Sequence, residues 1–387
     1  MKKVIYLDHN ATTPIHPEVL KAMMPFYKGD YGNASSLYEK GREARNAVDA
    51  SREIMGDFLG TEPEDIIFTS GGTESDNFAL KGVLYRNKDS GRDHIVTSKI
   101  EHSAVLSTCK YLEKKGFRVT YVDVDKYGVV DVNQIKDAIT DKTSLVSIMH
   151  ANNEVGTIQP IKEIARIARE KGAYVHTDAV QSFCKISTGV EELGVDLLSV
   201  SAHKIYGPKG VGALYIRKGV KIEPFLHGGH HERNLRAGTE NVAGIVGFAR
   251  AVEILKSGYP EKSKAVQLLR DRLHKGLRKN IDDIYLNGHP ELRLANTLDL
   301  GFAYVEGEAL LLNFDMKGIC VSTGSACTSG SLEPSHVLMA MGVDTVIAQG
   351  SVRFSLGEAN TEEDIDYCIE VIPKIVTKLR KMSPLVK

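Results

Sequence analysis

Between about residues 60 and 220, short apolar runs alternate with segments of helical periodicity, and few folds accommodate that alternation. The runs are Ile66-Ile-Phe-Thr69, Ile95-Val-Thr97, Val119-Thr-Tyr-Val122, Leu145-Val-Ser-Ile148, Tyr174-Val-His176, Leu197-Leu-Ser-Val200 and Gly212-Ala-Leu-Tyr-Ile216. Unbroken apolar runs separated by helices read as βα units around a mainly parallel sheet covered on both faces, hence an α/β fold. Ile161, Ile164, Ala165 and Ala168 fall at i, i+3, i+4 and i+7, with Pro160 before and Gly172 after, so a crossover helix is expected there. The apolar helical pattern of Gly244–Leu255 breaks at Lys256-Ser-Gly-Tyr-Pro260, and a charged helix is expected from near Lys262. That break is placed as a domain boundary, since 387 residues exceed what one core organises. Beyond it, strands are expected at Asn296–Leu300 and Ser351–Ser355, and a closing helix from about Thr361 to Met382.

Charge narrows the partners. Forty-nine basic and fifty acidic residues leave a formal charge of −1, so no bulk field draws in nucleic acid or an anionic membrane. No stretch is long and apolar enough for a signal-peptide core or a bilayer span, which predicts a cytoplasmic protein. Five cysteines without a C-x-x-C argue against a zinc knuckle and a disulfide framework, and leave room for a working thiol.

Ligands of open α/β sheets sit beyond the carboxyl ends of strands, so the polar residues after each apolar run are the candidates. Phe68-Thr-Ser-Gly-Gly-Thr-Glu-Ser75 runs a strand through Gly71-Gly72 into a helix whose first turn holds Thr73, an anion site if not a plain tight turn. Tyr174-Val-His-Thr-Asp178 ends a strand in an acid, followed by Gln181; that acid either serves a ligand or caps the next helix. Ser199-Val-Ser-Ala-His-Lys204 delivers Ser201, His203 and Lys204. Desolvation of Lys204 would lower its pKa and free the amine for Schiff-base formation, whereas a snorkelling lysine would do neither. An anion-binding helix start, an acid for a pyridinium nitrogen and such a lysine are together the parts of a pyridoxal 5'-phosphate site.

His102, after Ser98-Lys-Ile-Glu101, could stack on the cofactor ring and move protons. Ser322-Thr-Gly-Ser-Ala-Cys-Thr-Ser-Gly-Ser331 surrounds Cys327 with small residues, which predicts a mobile loop and a thiol able to ionise. The glycines of His227-Gly-Gly-His-His231 give no fixed ligand geometry, so no metal site is assigned. Arg353, in an alternating strand, could pair with a surface acid or fork onto a substrate carboxylate.

These residues lie within motifs that resemble one family from end to end. They are Tyr6-Leu-Asp-His-Asn-Ala-Thr-Thr-Pro14, Thr69-Ser-Gly-Gly-Thr-Glu-Ser75, Glu101-His-Ser-Ala-Val105, Ala151-Asn-Asn-Glu-Val-Gly156, Asp178-Ala-Val-Gln181, Ser201-Ala-His-Lys-Ile-Tyr-Gly207, Arg236-Ala-Gly-Thr-Glu-Asn241 and Gly324-Ser-Ala-Cys-Thr-Ser329. The chain resembles the group I cysteine desulfurases of the nitrogen-fixation and iron–sulfur-cluster type, pyridoxal-phosphate enzymes of the class V aminotransferase family. The resemblance implies fold type I, with a large cofactor-binding domain over residues 15–258 and a smaller α+β domain from 1–14 plus 259–387. It implies Lys204 as the lysine that holds the cofactor covalently and His102 as the stacking acid/base. Asp178 and Gln181 become the partners of the pyridine nitrogen and the ring hydroxyl. The phosphate falls to Gly72, Thr73, Ser201 and His203, with Thr239 donated by the other subunit of a homodimer. Asn153 and Arg353 become substrate-carboxylate contacts, and Cys327 the persulfide-forming nucleophile. The implied reaction takes sulfur from L-cysteine, leaves L-alanine, and passes the sulfur to an acceptor such as an iron–sulfur scaffold or a protein serving another thio-cofactor. Phe183-Cys184 and Asn234 depart from the family, standing where small residues and a glycine are usual.

Overall fold

The computed structural model describes residues 4–257, 259–324 and 334–383. Its strands are β1 (Ile5–Tyr6), β2 (Ile66–Thr69), β3 (His94–Ser98), β4 (Arg118–Val122), β5 (Thr143–Ser147), β6 (Tyr174–Asp178), β7 (Leu197–Ser201), β8 (Gly212–Ile216), β9 (Ile284–Asn287), β10 (Thr297–Phe302), β11 (Ile319–Cys320) and β12 (Ser351–Ser355). Each apolar run of the 60–220 region is a strand. They form one seven-stranded sheet in the order β2-β8-β7-β6-β5-β3-β4, parallel except that β8 runs against both its neighbours.

Successive strand residues face opposite sides of the sheet, and here each side has its own core. Phe68, Val96, Val146, Val200 and Tyr215 pack with the helices Glu39–Leu59, Ile161–Glu170 and Val242–Lys256. Ile67, Ile95, Leu145, Leu197 and Leu214 pack with Gly72–Asn87 and Ser103–Lys114. Both faces are dry, which is why the strands read as unbroken apolar runs. The crossover helix lies where its pattern placed it, with Pro160 before it and Gly172 at a φ of 72° after it.

A second body is built on the antiparallel sheet β12-β10-β9. Its core draws Ile5 and Leu7 from the N-terminal strand together with residues from Val266 to Val376. The charged helix spans Tyr259–Asn280, so it begins before Lys262; Pro260 is tolerated in a first turn, where its missing N–H has no intrahelical partner. The closing helix Glu362–Met382 starts on a capping box formed by Thr361 and Asp364.

Backbone strain concentrates at Glu232, Arg233 and Asn234, with φ of 43°, 55° and 67°. Asparagine is among the non-glycine residues that best accept this region, which accounts for Asn234 where the family carries glycine. The turn is held by Glu232, buried against Arg52 through two hydrogen bonds of 2.8 and 2.7 Å and accepting the Phe68 N–H at 2.9 Å. Cys184, the other departure, also has a positive φ, 57°. Its burial pushes the thiol pKa well up, so it stays protonated and inert. Arg52→Met should strand the Glu232 carboxylate in the core and lower stability by about 3–5 kcal/mol. Urea unfolding of the variant measures this, and an unchanged midpoint would show that the pair does not hold the turn.

Candidate active site

The carboxyl ends of β2, β3, β5, β6 and β7 open on one cavity of ≈ 300 Å³. Lys204, His102, Asp178, Gln181, Gly72, Thr73, Ser201, His203, Asn153 and Arg353 all line it. Candidates spread over more than 280 positions of sequence thus meet at one place: parallel strands deliver their C-terminal residues to a single edge, and β12 of the second sheet adds Arg353.

At one end is the start of the helix Gly72–Asn87, whose N-cap Gly71 has a φ of 150° and makes no side-chain cap. Its first N–H groups remain as donors for an anion. A Cβ on Gly72 would lie 2.6 Å from Val180 Cγ2, so the close approach of the two strand ends requires glycine. His203 binds Thr12 Oγ1 through Nδ1 at 3.2 Å, and burial lowers its pKa to about 4. It is therefore neutral at neutral pH.

Deeper in, Asp76, His102 and Asp178 bring side-chain ligand atoms within 4.8 Å of one another. Asp178 is buried, and its Oδ1 accepts the Val180 N–H at 2.9 Å, so it does hold the following turn as well as facing the cavity. Burial raises its pKa, opposed by His102 and Lys204. Such a carboxylate suits a ligand that brings a cationic N–H donor, as a protonated pyridine does. Asp76 is also buried, its pKa pushed well up by burial and then by Asp178. His102 caps the helix Ser103–Lys114, with Nδ1 accepting the Ala104 N–H at 3.1 Å. That contact leaves Nε2 to carry the proton of the neutral ring, and burial lowers the His102 pKa.

Lys204 is half-buried and donates to the carbonyls of Asn10 at 2.5 Å and Ala11 at 2.7 Å. Gln181 Nε2 donates to the same Asn10 oxygen at 2.9 Å. Arg353 is buried in β12, with Nη2 paired to Asp8 at 2.9 Å and Nη1 on the Asn153 carbonyl at 3.0 Å. The acid it pairs with is therefore a largely shielded one rather than a surface one, and Nε has no hydrogen-bond partner. Acid-holding, anion-binding and amine-bearing elements fit pyridoxal phosphate in size and in polarity.

Thr239 is exposed and does not line this cavity. The segment before it is tied to the helix start by Arg236, which binds Glu74 through two hydrogen bonds of 2.8 and 3.1 Å. Cys327 lies outside the described residues. Sequence reasoning singled out neither Asn10 nor Asp76. Asp76 carries a signal, an acid three residues after Thr73 on a helix whose inward face is otherwise uncharged; Asn10 carries none, since its importance is entirely in its contacts.

Comparison with known proteins agrees with this geometry. Residues 5–368 match the aminotransferase class-V family. The chain is 56% identical to a protein of Methanosarcina thermophila named cysteine desulfurase IscS, over 99% of this chain and 94% of that protein. It is 53% identical to one of the same name from Dictyoglomus turgidum, over 99% and 97%. Among solved structures, a NifS-like protein superposes with a TM-score of 0.92 at 44% identity, covering 97% of this chain and all (100%) of that one. The structure titled SspA in complex with cysteine superposes at 0.82 and 36% identity, covering 93% and 100%. The chain thus belongs to the aminotransferase class-V family, with the pyridoxal-phosphate cofactor and type I fold of that family.

Proposed function

We propose that the protein is a cysteine desulfurase that converts L-cysteine to L-alanine and holds the sulfur as a persulfide on Cys327. The observation that carries this reading is the convergence of Lys204, His102, Asp178 and Arg353 on one cavity, in a chain 56% identical to a protein named for that activity. Residues 15–258 serve as the cofactor-binding domain, and residues 1–14 with 259–387 as the smaller domain that brings Arg353 and Cys327 to it.

The first N–H groups of the Gly72–Asn87 helix, with Thr73, Ser201 and His203, hold the phosphate. Asp178 accepts the pyridine N–H, and Gln181 meets the ring hydroxyl. When bound, pyridoxal phosphate supplies an electron sink for the bonds at the substrate's Cα. Arg353 and Asn153 fix the substrate carboxylate. The Lys204 amine takes and returns the Cα proton, and His102 holds a proton at the reacting end. The Cys327 thiolate attacks the substrate's sulfur, so the Cβ–S bond breaks as the new S–S bond forms. The electron pair of the broken bond stays with carbon, which takes a proton and leaves as alanine. Cysteine plus the enzyme thiol therefore gives alanine plus the enzyme persulfide, without any other oxidant.

Thr239, exposed and outside its own chain's cavity, suits a phosphate contact given to the partner's site in a homodimer. The persulfide is passed to an acceptor protein such as an iron–sulfur scaffold, in the cytoplasm.

Incubation with L-cysteine, alanine quantification and mass spectrometry of the persulfide peptide test the reading. Cys327→Ala should reduce alanine formation to background while the bound cofactor keeps its visible absorbance. Undiminished turnover in that variant would remove Cys327 from the mechanism. His102→Gln should cut turnover by about 10²–10⁴ with cofactor content unchanged. Light scattering should give a mass near twice the 42.5 kDa of one chain, and a monomer would sink the shared-site assignment of Thr239.

A further inference from the structure

When the cofactor's ring hydroxyl is ionised its oxygen can only accept, so Gln181 meets it only with its amide nitrogen towards the cavity, and an amide can be turned either way. Two neighbours decide the sense. The Asn10 carbonyl can only accept, and it lies 2.9 Å from Nε2. Lys185, four residues further on in sequence, donates from Nζ to Oε1 at 3.4 Å. The first constraint is shared, since the same Asn10 oxygen accepts Lys204 at 2.5 Å, and the Lys204 amine changes its bonding whenever it reacts. The second does not pass through Lys204.

We propose that Lys185 is a positioning residue that fixes the amide sense of Gln181, so that an N–H faces the cofactor's ring oxygen while Lys204 changes partners. This rests on the reading of Gln181 as the ring-hydroxyl contact. Lys185 lines a second, smaller cavity of ≈ 70 Å³ that shares Lys204 with the main one. Burial, with Lys204 and Arg353 adding repulsion and Cys184 opposing it, draws its amine down to about 7. It carries N–H donors in either protonation state. The other titratable groups lining that cavity are His9, neutral with a pKa lowered to about 4, Tyr206, whose phenol burial raises to about 12, and the ion pair of Lys262 with Glu358 at 2.9 Å.

The test is the pH titration of the bound cofactor's visible absorbance in the full-length, cofactor-loaded enzyme. An N–H on the ring oxygen stabilises its negative charge most when the neighbouring nitrogen has lost its proton, and so it lowers the midpoint. Lys185→Met, close in shape, should raise the midpoint by about one pH unit, and Lys185→Arg should restore it. In a Gln181→Leu background, Lys185→Met should move it by less than half as much, because the amide it orients is gone. Equal shifts in both backgrounds would mean that Lys185 acts only as a charge through space, and would overturn the proposal. If Gln181→Leu shifts the midpoint but Lys185→Met does not, the role of Lys185 fails alone. A silent Gln181→Leu would remove the ring contact itself, and the proposal with it.

Discussion

The cavity depends on the way the segment from Asp8 to Thr13 satisfies its polar atoms between the two bodies of the chain. Asn10 is 1% exposed, yet its backbone and side chain are bonded to both bodies of the chain. Its N–H reaches Ser355 Oγ, its amide nitrogen reaches the Asn153 carbonyl and Thr297 Oγ1, and its amide oxygen accepts from Asn296. Its carbonyl takes Lys204 and Gln181 from the large sheet. An orphaned buried group of this kind costs about 1–3 kcal/mol, so the segment is fixed by a set of bonds none of which is easily given up. The N-terminal strand supplies Ile5 and Leu7 to the second core and then delivers these atoms to the edge of the first.

Around that junction, burial decides the electrostatics. Asp76 and Asp178 are raised, and His102 and His203 lowered, each chiefly by loss of water. Neutral forms are favoured until a ligand brings complementary charge, which is the condition under which a charged cofactor is held strongly and specifically. Asp8 matters in the same way. It holds Arg353 at 2.9 Å, so that the guanidinium is oriented at the cavity wall.

Much of the fold could be read directly. Runs such as Leu197–Val200 are continuous because both sheet faces are dry, and the order of strands and helices follows. The candidates at Asp178, His102 and Lys204 were legible because the carboxyl edge of a parallel sheet is where such residues collect. Asp76 could have been found as an acid on an inward helix face. Asn10 and Lys185 could not, since an asparagine in a loop and a lysine after a turn look the same whether they bond to solvent or to a buried amide. Asn234 and Cys184 looked like departures from the family, and their backbone φ explains the first, while burial silences the second.

Local periodicity and strand-end chemistry, both functions of short stretches of chain, determined the α/β class, the strands of the large sheet and the candidate lysine, acid and histidine at its carboxyl edge. The tertiary structure alone decided which distant groups complete them: that Asp8 holds Arg353, that Asn10 receives Lys204 and Gln181, and that Thr239 stays outside its own chain's cavity. These are contacts between residues up to 345 positions apart. They are set by how the two bodies pack against each other, and no local pattern in a single sequence records them.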